Sequence, residues 1–318
     1  ATGLDWFLGD PRWMLHPVVV MGWWIQTLRR GLESWARDDP WKLRLSGGLV
    51  TMVLVVGSGL LGWAIESVSR MAGFIGWPVL VIALASALAG RSLYDSVMAV
   101  IQALPEQASD EPTLARQKLS WIVGRDVTQL GRVGILRACA ETASATAVDG
   151  LFAPLFWMAA GCLLWLLNPA APGPLALAWM FKASSTLDSM LGYRTGRLRW
   201  LGTAGARLDD LLTWLPCRLV MVSLPLVSAP WHRWSALVQA AEQDGAPDPS
   251  PNAGRSEAIY AHCAGVRLGG RNRYGATWVE KPLLAADQPE PDRQAIETIL
   301  NLTIRLELLW IVLLGLTQ

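Results

Sequence analysis

Apolar residues along this chain gather into long uncharged runs, without the short alternations of a soluble core. Leu45 to Ile65 contains no charged residue, and about 20 apolar residues suffice to cross a bilayer. Met71 to Gly90 is a second such run, separated from the first by a short link holding Glu66 and Arg70, so a membrane hairpin is expected here. Gly150 to Phe181 is also uncharged but is interrupted by Asn168-Pro-Ala-Ala-Pro-Gly-Pro174. A crossing near 151–167, a turn and a partial re-entry are expected. Leu211 to Trp231 is apolar except for Arg218, and Ile299 to Leu316 except for Arg305 and Glu307. The pattern predicts an all-α polytopic membrane protein with four or five transmembrane helices, near 45–65, 71–90, 151–167, 211–231 and 299–316, and helical or irregular polar segments between them.

Those polar segments, 91–149, 182–210 and 232–297, are each rich in Lys and Arg, which favours the cytoplasmic side. Strict alternation through 211–231 would put one of them outside. Either that run re-enters, or the run after Pro174 is not a full span. Gln243–Pro251 and Asp287–Asp292 are rich in Pro and are expected to be non-helical linkers. No internal repeat is visible.

Composition sharpens the picture. The chain is 52% hydrophobic and 17% charged, against ~25% charged for soluble domains. Its 27 Lys and Arg nearly cancel 26 Asp and Glu, leaving a formal net charge of +1; that excludes the basic excess of a nucleic-acid binder. Trp outnumbers Phe and Tyr, 18 against 5 and 4, as suits membrane–water interfaces. Cys139, Cys162, Cys217 and Cys263 show no metal-ligand spacing and are expected to be free buried thiols. The chain opens on Ala1 with no signal-peptide pattern, leaving room for an upstream piece.

Gly57-Ser-Gly59-Leu-Leu-Gly62 matches a dinucleotide-binding fingerprint. That motif needs a strand before it, a helix after it and an acid about 20 residues on. Here the glycines lie inside an uncharged run, where small residues let helices pack closely. No P-loop pattern is present, so any use of ATP rests on other groups.

The polar segments pair acids and bases densely: Gly-Asp-Pro-Arg at 9–12, Gly-Arg at 90–91, Gly-Arg-Asp at 124–126 and Arg-Leu-Asp-Asp at 207–210. Charges bordering membrane helices are costly unless paired or solvated, so a functional site is expected beside them; a solvated charged face is the alternative. Asp209 and Asp210 precede an apolar run and suit Mg²⁺, or N-capping of the following helix. Glu141 and Asp149 are eight apart and would share one side of a helix. Arg91, Lys118, Arg125, Lys182 and Arg207 suit phosphate, or serve as membrane-flanking charges. His16 is either catalytic or structural.

Gly9-Asp-Pro-Arg-Trp-Met-Leu-His-Pro17 resembles the start of the CobD/CbiB family of membrane enzymes of cobalamin biosynthesis. The likeness continues through Ala89–Ser92, Lys118–Asp126, Asp149–Leu155, Thr186–Tyr193, Ala206–Asp210, Leu215–Arg218, Ser250–Asn252, Ser256-Glu257, Leu268–Gly270 and Lys281-Pro282. It covers nearly the whole chain in order, which implies a single domain over 1–318. The resemblance implies an ATP- and Mg²⁺-dependent amide ligase of the inner membrane. Its substrates would be a corrinoid, adenosylcobyric acid, and aminopropanol or its phosphate, joined at a site facing the cytoplasm. Read onto this chain, it suggests Glu141, Asp149, Asp188 and His16 for catalysis and Asp209 and Asp210 for metal. Arg91, Lys118, Arg125, Lys182 and Arg207 would bind phosphate, and Asn252 and Glu257 the corrinoid side chains. The lipid bilayer is an implied partner, nucleic acid is not, and a homo-oligomer or a complex with later enzymes of the pathway is left open.

The chain departs from the family at three places. Ala145-Thr146 stands where relatives usually read Glu-Asn, and Ser185 where they usually read Asn. A Glu at 145 would lie four residues from both Glu141 and Asp149, completing an acidic stripe. A catalytically impaired corrinoid-binding homologue or assembly subunit is therefore the alternative to the ligase. A small-molecule transporter ranks below both; its clearest mid-span ionisable group would be Arg218, and transporters often carry an internal repeat.

Overall fold

A computed structural model describes residues 1–8, 16–107, 110–228, 231–274 and 277–316. The acid–base run at 9–12 therefore lies outside the described residues, as does most of the Gly9–Pro17 segment. The chain is helical almost throughout. In order, α1 is Thr2–Leu8, α2 Pro17–Ala36, α3 Pro40–Met71, α4 Gly76–Ala85 and α5 Gly90–Gln102. They are followed by α6 Thr113–Leu119, α7 Arg132–Ala147, a π-helical turn Val148–Phe152, α8 Ala153–Leu167 and α9 Pro174–Leu191. Then come α10 Leu198–Leu201, α11 Thr203–Ser228, α12 Trp234–Gly245 and α13 Ala253–Ala264. An antiparallel hairpin, β1 Leu268–Tyr274 and β2 Thr277–Leu284, precedes α14 Arg293–Leu316.

Among the described residues, five helical stretches are long and apolar enough to cross a membrane: Pro40–Met71, Gly73–Gln102, Arg132–Leu167, Thr203–Ser228 and Arg293–Gly315. They answer one by one to the expected spans, and this is a multi-pass helical membrane protein. Each differs from its expected bounds because helix continues into neighbouring polar sequence. Glu66 and Arg70 thus lie within α3, not in a link after it; that helix ends before Gly73, whose φ is +58°. Asp209 and Asp210 lie inside α11, which starts at Thr203, so they do not cap it. Gln243 to Gly245 close α12, and only the remainder of the expected 243–251 linker is non-helical. The hairpin is an addition that the hydrophobic pattern did not signal.

The chain forms two compact units. Unit 1 comprises Ala1–Arg91 and Asp149–Thr213; unit 2 comprises Ser92–Val148 and Trp214–Gln318. In unit 1, α3 packs against α9, α2 and α10, and α8 against α9. The α3–α9 crossing is close because its contact positions are glycines. A Cβ at Gly62 would lie 2.8 Å from Ala176 Cα, and one at Gly59 2.5 Å from Met180 Cγ. The apparent nucleotide fingerprint is thus a helix-packing stripe.

Unit 1 also contains two buried carboxylates that cap the starts of other helices. Glu66 Oε1 accepts from Leu175 N (2.5 Å) and Ala176 N (3.2 Å), and its Oε2 from Gly173 N (2.9 Å). It thereby caps α9 from another helix, where a negative charge meets the positive end of the dipole. Nearby, Trp63 Nε1 donates to Ala170 O and Arg70 Nη1 to Pro169 O, which pins the Pro-rich turn. Asp5 Oδ2 accepts from Gly90 N at 3.0 Å and Arg91 N at 3.3 Å, at the start of α5.

In unit 2, α7 packs against α14, α13, α6 and β1, and α12 against α13. The hairpin depends on glycines. Gly269 and Gly270 have φ of +80° and +86° at a break in strand register, and a Cβ on Gly269 would sit 2.0 Å from Pro282 O. Only glycine meets both demands at once. No disulfide joins the four cysteines among the described residues; Cys139 and Cys217 are buried and the other two half-buried.

Candidate functional sites

Unit 1 gathers four carboxylates around one ammonium. Asp149 comes from the π-turn, Asp188 and Lys182 from α9, and Asp209 and Asp210 from α11. Asp149 and Asp209 each interact electrostatically with Asp188, Asp210 and Lys182. The Asp188 carboxyl is held above the usual carboxylate range, first by burial and then by Asp210. Its oxygen occupies space that a side chain on residue 192 would need; a Cβ at Gly192 would come within 2.1 Å of Asp188 Oδ1. Asp209 is buried, and its Oδ1 has no hydrogen-bond partner among the described residues. A buried carboxylate oxygen left bare is costly, and a hard cation is the chemistry that fits it. No three His, Cys, Asp or Glu side chains among the described residues are arranged to hold a metal by themselves. Any ion here needs water or substrate oxygens to complete its shell.

Unit 2 holds a second charged cluster, around a cavity of about 180 Å³. Arg125 Nη2 lies 2.7 Å from Glu141 Oε2, and Arg125 Nη1 donates to Asn272 Oδ1. Glu141 Oε1 also accepts from Gly269 N at 3.0 Å, so the Gly-Gly bulge of β1 aims a backbone donor at this acid. Opposite, Lys281 Nζ on β2 stands 3.3 Å from Glu257 Oε1 on α13 and 3.6 Å from Asp248 Oδ2. Burial pushes the Glu257 carboxyl up to about 7, against the pull of Lys281. Burial pulls the Lys281 ammonium down, but Glu257 and Asp248 outweigh it and the net shift is upward. Ala145 and Thr146 line this cavity beside Glu141, Glu257 and Lys281.

The expected site residues therefore separate. Asp149, Asp188, Asp209, Asp210 and Lys182 meet in unit 1; Glu141, Arg125, Glu257, Ala145 and Thr146 meet in unit 2. Glu141 is bound to Arg125 and Gly269 in unit 2, and Asp149 lies in the π-turn that follows α7, with Asp188, Asp209, Asp210 and Lys182 of unit 1 around it. Ser185 is half-buried on α9 of unit 1. His16 caps α2, its Nδ1 accepting from Val18 N at 3.3 Å. Arg91 donates to Trp6 O, and Arg207 is exposed. Lys118 is half-buried on α6 and does not line the unit 2 cavity. Asn252 does not line that cavity either; Arg218 Nη1 donates to its Oδ1 at 2.5 Å, while Arg218 Nη2 donates to Pro251 O. Arg218 thus ties the start of α13 to α11. Sequence reasoning missed Asn272, Asp248 and the role of Lys281. Asn272 and Lys281 stand on a hairpin that the sequence marked only through the resembling segments Leu268–Gly270 and Lys281-Pro282, not through its hydrophobic pattern.

Membrane-spanning helices with two clusters of charged side chains set among them define a polytopic helical membrane protein. A profile of the family described as CobD/Cbib protein matches residues 1–303. Cobalamin biosynthesis protein CobD of Synechocystis is 40% identical over 99% of this chain and 88% of its own length. The protein of the same name from Yersinia enterocolitica is 39% identical over 99% and 95%. Cobalamin biosynthesis protein CbiB of Salmonella choleraesuis is 34% identical over 98% and 91%. The chain belongs to the CobD/CbiB family. No solved structure matches it.

Proposed function

We infer that this protein acts in cobalamin biosynthesis as a membrane-bound, ATP-dependent amide ligase, joining adenosylcobyric acid to aminopropanol or its phosphate. The site would face the cytoplasm from the inner membrane. Family membership supports the pathway. The observation that carries the chemistry is the four-aspartate cluster of unit 1, with Lys182 among it and the buried Asp209 Oδ1 bare.

Amide formation from a carboxylate needs the acid activated and the amine deprotonated. Activation by ATP transfers a phosphoryl group to the carboxylate; the amine then displaces phosphate and gives up a proton. Lys182 suits an incoming phosphate oxygen, and Asp209 with Asp210 would hold Mg²⁺, which supplies charge neutralisation at the phosphates. Asp188, held above the ordinary carboxylate range by burial and Asp210, is suited to take the proton from the amine. In unit 2, Arg125, Glu257 and Lys281 would bind substrate polar groups.

The test is amide formation by the purified full chain with ATP, Mg²⁺, adenosylcobyric acid and the amino alcohol. ADP release should require both organic substrates, and Asp209→Asn should lower kcat about 10²-fold. Binding of corrinoid with no turnover would instead support a non-catalytic corrinoid-binding subunit. The Ala145 and Thr146 lining of the unit 2 cavity favours that second reading, because an acid is usual in the family at 145. Ala145→Glu, Thr146→Asn and Ser185→Asn made together separate the two: a chain that turns over only with them is impaired as it stands.

A further inference from the structure

Two side chains that line the unit 2 cavity each keep one buried polar atom with nothing in the described chain to satisfy it. Glu257 is 4% exposed and its Oε2 has no partner; Asn272 is 4% exposed and its Nδ2 has none. The other atom of each side chain is committed. Glu257 Oε1 accepts from Lys281 Nζ, and Asn272 Oδ1 accepts from Arg125 Nη1. Arginine only donates, so Arg125 fixes which end of the amide is the oxygen and leaves the NH₂ group open. Both residues line the same cavity. An acceptor and a donor left bare on residues of one cavity each carry the full desolvation penalty of an unmade hydrogen bond.

We propose that this cavity recognises a primary carboxamide, whose N–H donates to Glu257 Oε2 and whose C=O accepts from Asn272 Nδ2. The charges around it are already paired: Arg125 with Glu141, and Lys281 with Glu257 and Asp248. A neutral ligand therefore fits better than an ionic one. A carboxylate would set an acceptor against Glu257, and an ammonium would bring no acceptor to Asn272. At about 180 Å³ the cavity falls below the ~300 Å³ of sites that enclose a whole small molecule, so it suits one arm of a larger one. The inference deepens the corrinoid reading above and rests on it, because a corrin ring carries such arms.

The experiment is a titration at pH 8 of the purified full chain in detergent, with neither ATP nor amine, followed by tryptophan fluorescence. The probes are cobinamide, whose ring arms other than the one bearing the amino alcohol are primary carboxamides, and the same ring with those primary amides hydrolysed to carboxylates. The carboxamide form should bind at least about tenfold more tightly. Glu257→Gln and Asn272→Asp should each lower its affinity by a similar factor. Made together they exchange donor and acceptor while conserving net charge, and should restore binding of a carboxamide turned end for end. Equal affinity for the two probes overturns the proposal, as does a double variant no better than the worse single one; either result points to a water or hydroxyl site only. Melting curves report folding of each variant, and if a single variant unfolds, the probe preference of the unaltered chain decides alone. Since no ATP is present, failure of the ligase reading leaves this result standing, and normal turnover without carboxamide preference overturns this inference alone.

Discussion

Arg125 Nη2 and Glu141 Oε2 stand 2.7 Å apart, with side chains 7% and 8% exposed. Removing one partner of such a pair strands the other charge away from water, which costs about 3–5 kcal/mol. Glu141→Ala should therefore lower the melting temperature strongly, since it also frees the N–H of Gly269. Asp38→Ala, which breaks an exposed pair with Arg197, should leave it unchanged. Similar melting for the two variants would show that the buried pair contributes no more than the exposed one.

The cap that Glu66 places on α9 gives a second prediction. Glu66→Ala leaves the N–H groups of Gly173, Leu175 and Ala176 without their acceptor and should destabilise unit 1 by about 2 kcal/mol. Glu66→Gln, which keeps an acceptor but loses the charge, should cost less. Hydrogen exchange at 173–176 would localise the effect, and unchanged protection there in the alanine variant would refute the cap.

The glycine stripe separates packing from nucleotide binding. Gly62→Val places side-chain carbon against the Ala176 backbone and should cost at least about 1–3 kcal/mol as overpacking. A Cβ at Gly57 meets only open space, so Gly57→Ala should be tolerated. A fingerprint that bound phosphate would lose nucleotide affinity at both positions, and equilibrium binding of a fluorescent nucleotide to the two variants would reveal it.

Glu257 makes stability depend on pH. Burial raises its carboxyl from the ordinary 4.5 to about 7, so between those values the folded chain holds a proton that the unfolded chain has lost. Stability then falls as pH rises through that window and levels off above it. Melting temperature should drop between pH 5 and pH 8, and Glu257→Gln should flatten the drop. Parallel curves for the two proteins would place the titration elsewhere.

Much of this was legible in the linear sequence. The uncharged runs located the membrane-crossing helices, because a charge at bilayer depth is costly whatever surrounds it. The Asp-Asp pair at 209–210 was visible as acids before an apolar run, Asp188 through the family resemblance, and they do meet. Glu66 was visible only as a break between two spans, since its partners are backbone N–H groups more than a hundred residues away. Asn272 and Lys281 had no periodic pattern to mark them, because a short hairpin carried by two glycines has little hydrophobic signature.

What the sequence by itself determined was the class of protein: hydrophobic length and scarcity of charge act through each segment alone, so they need no knowledge of neighbours. Tertiary structure alone decided which charges belong together. Glu141 and Asp149, eight residues apart along the chain, go to different clusters, because Arg125 and Gly269 hold the first while Asp149 is set among Asp188, Asp209, Asp210 and Lys182. Buried charges take the nearest partner in space, and in a chain folded back on itself that partner is seldom the nearest in sequence.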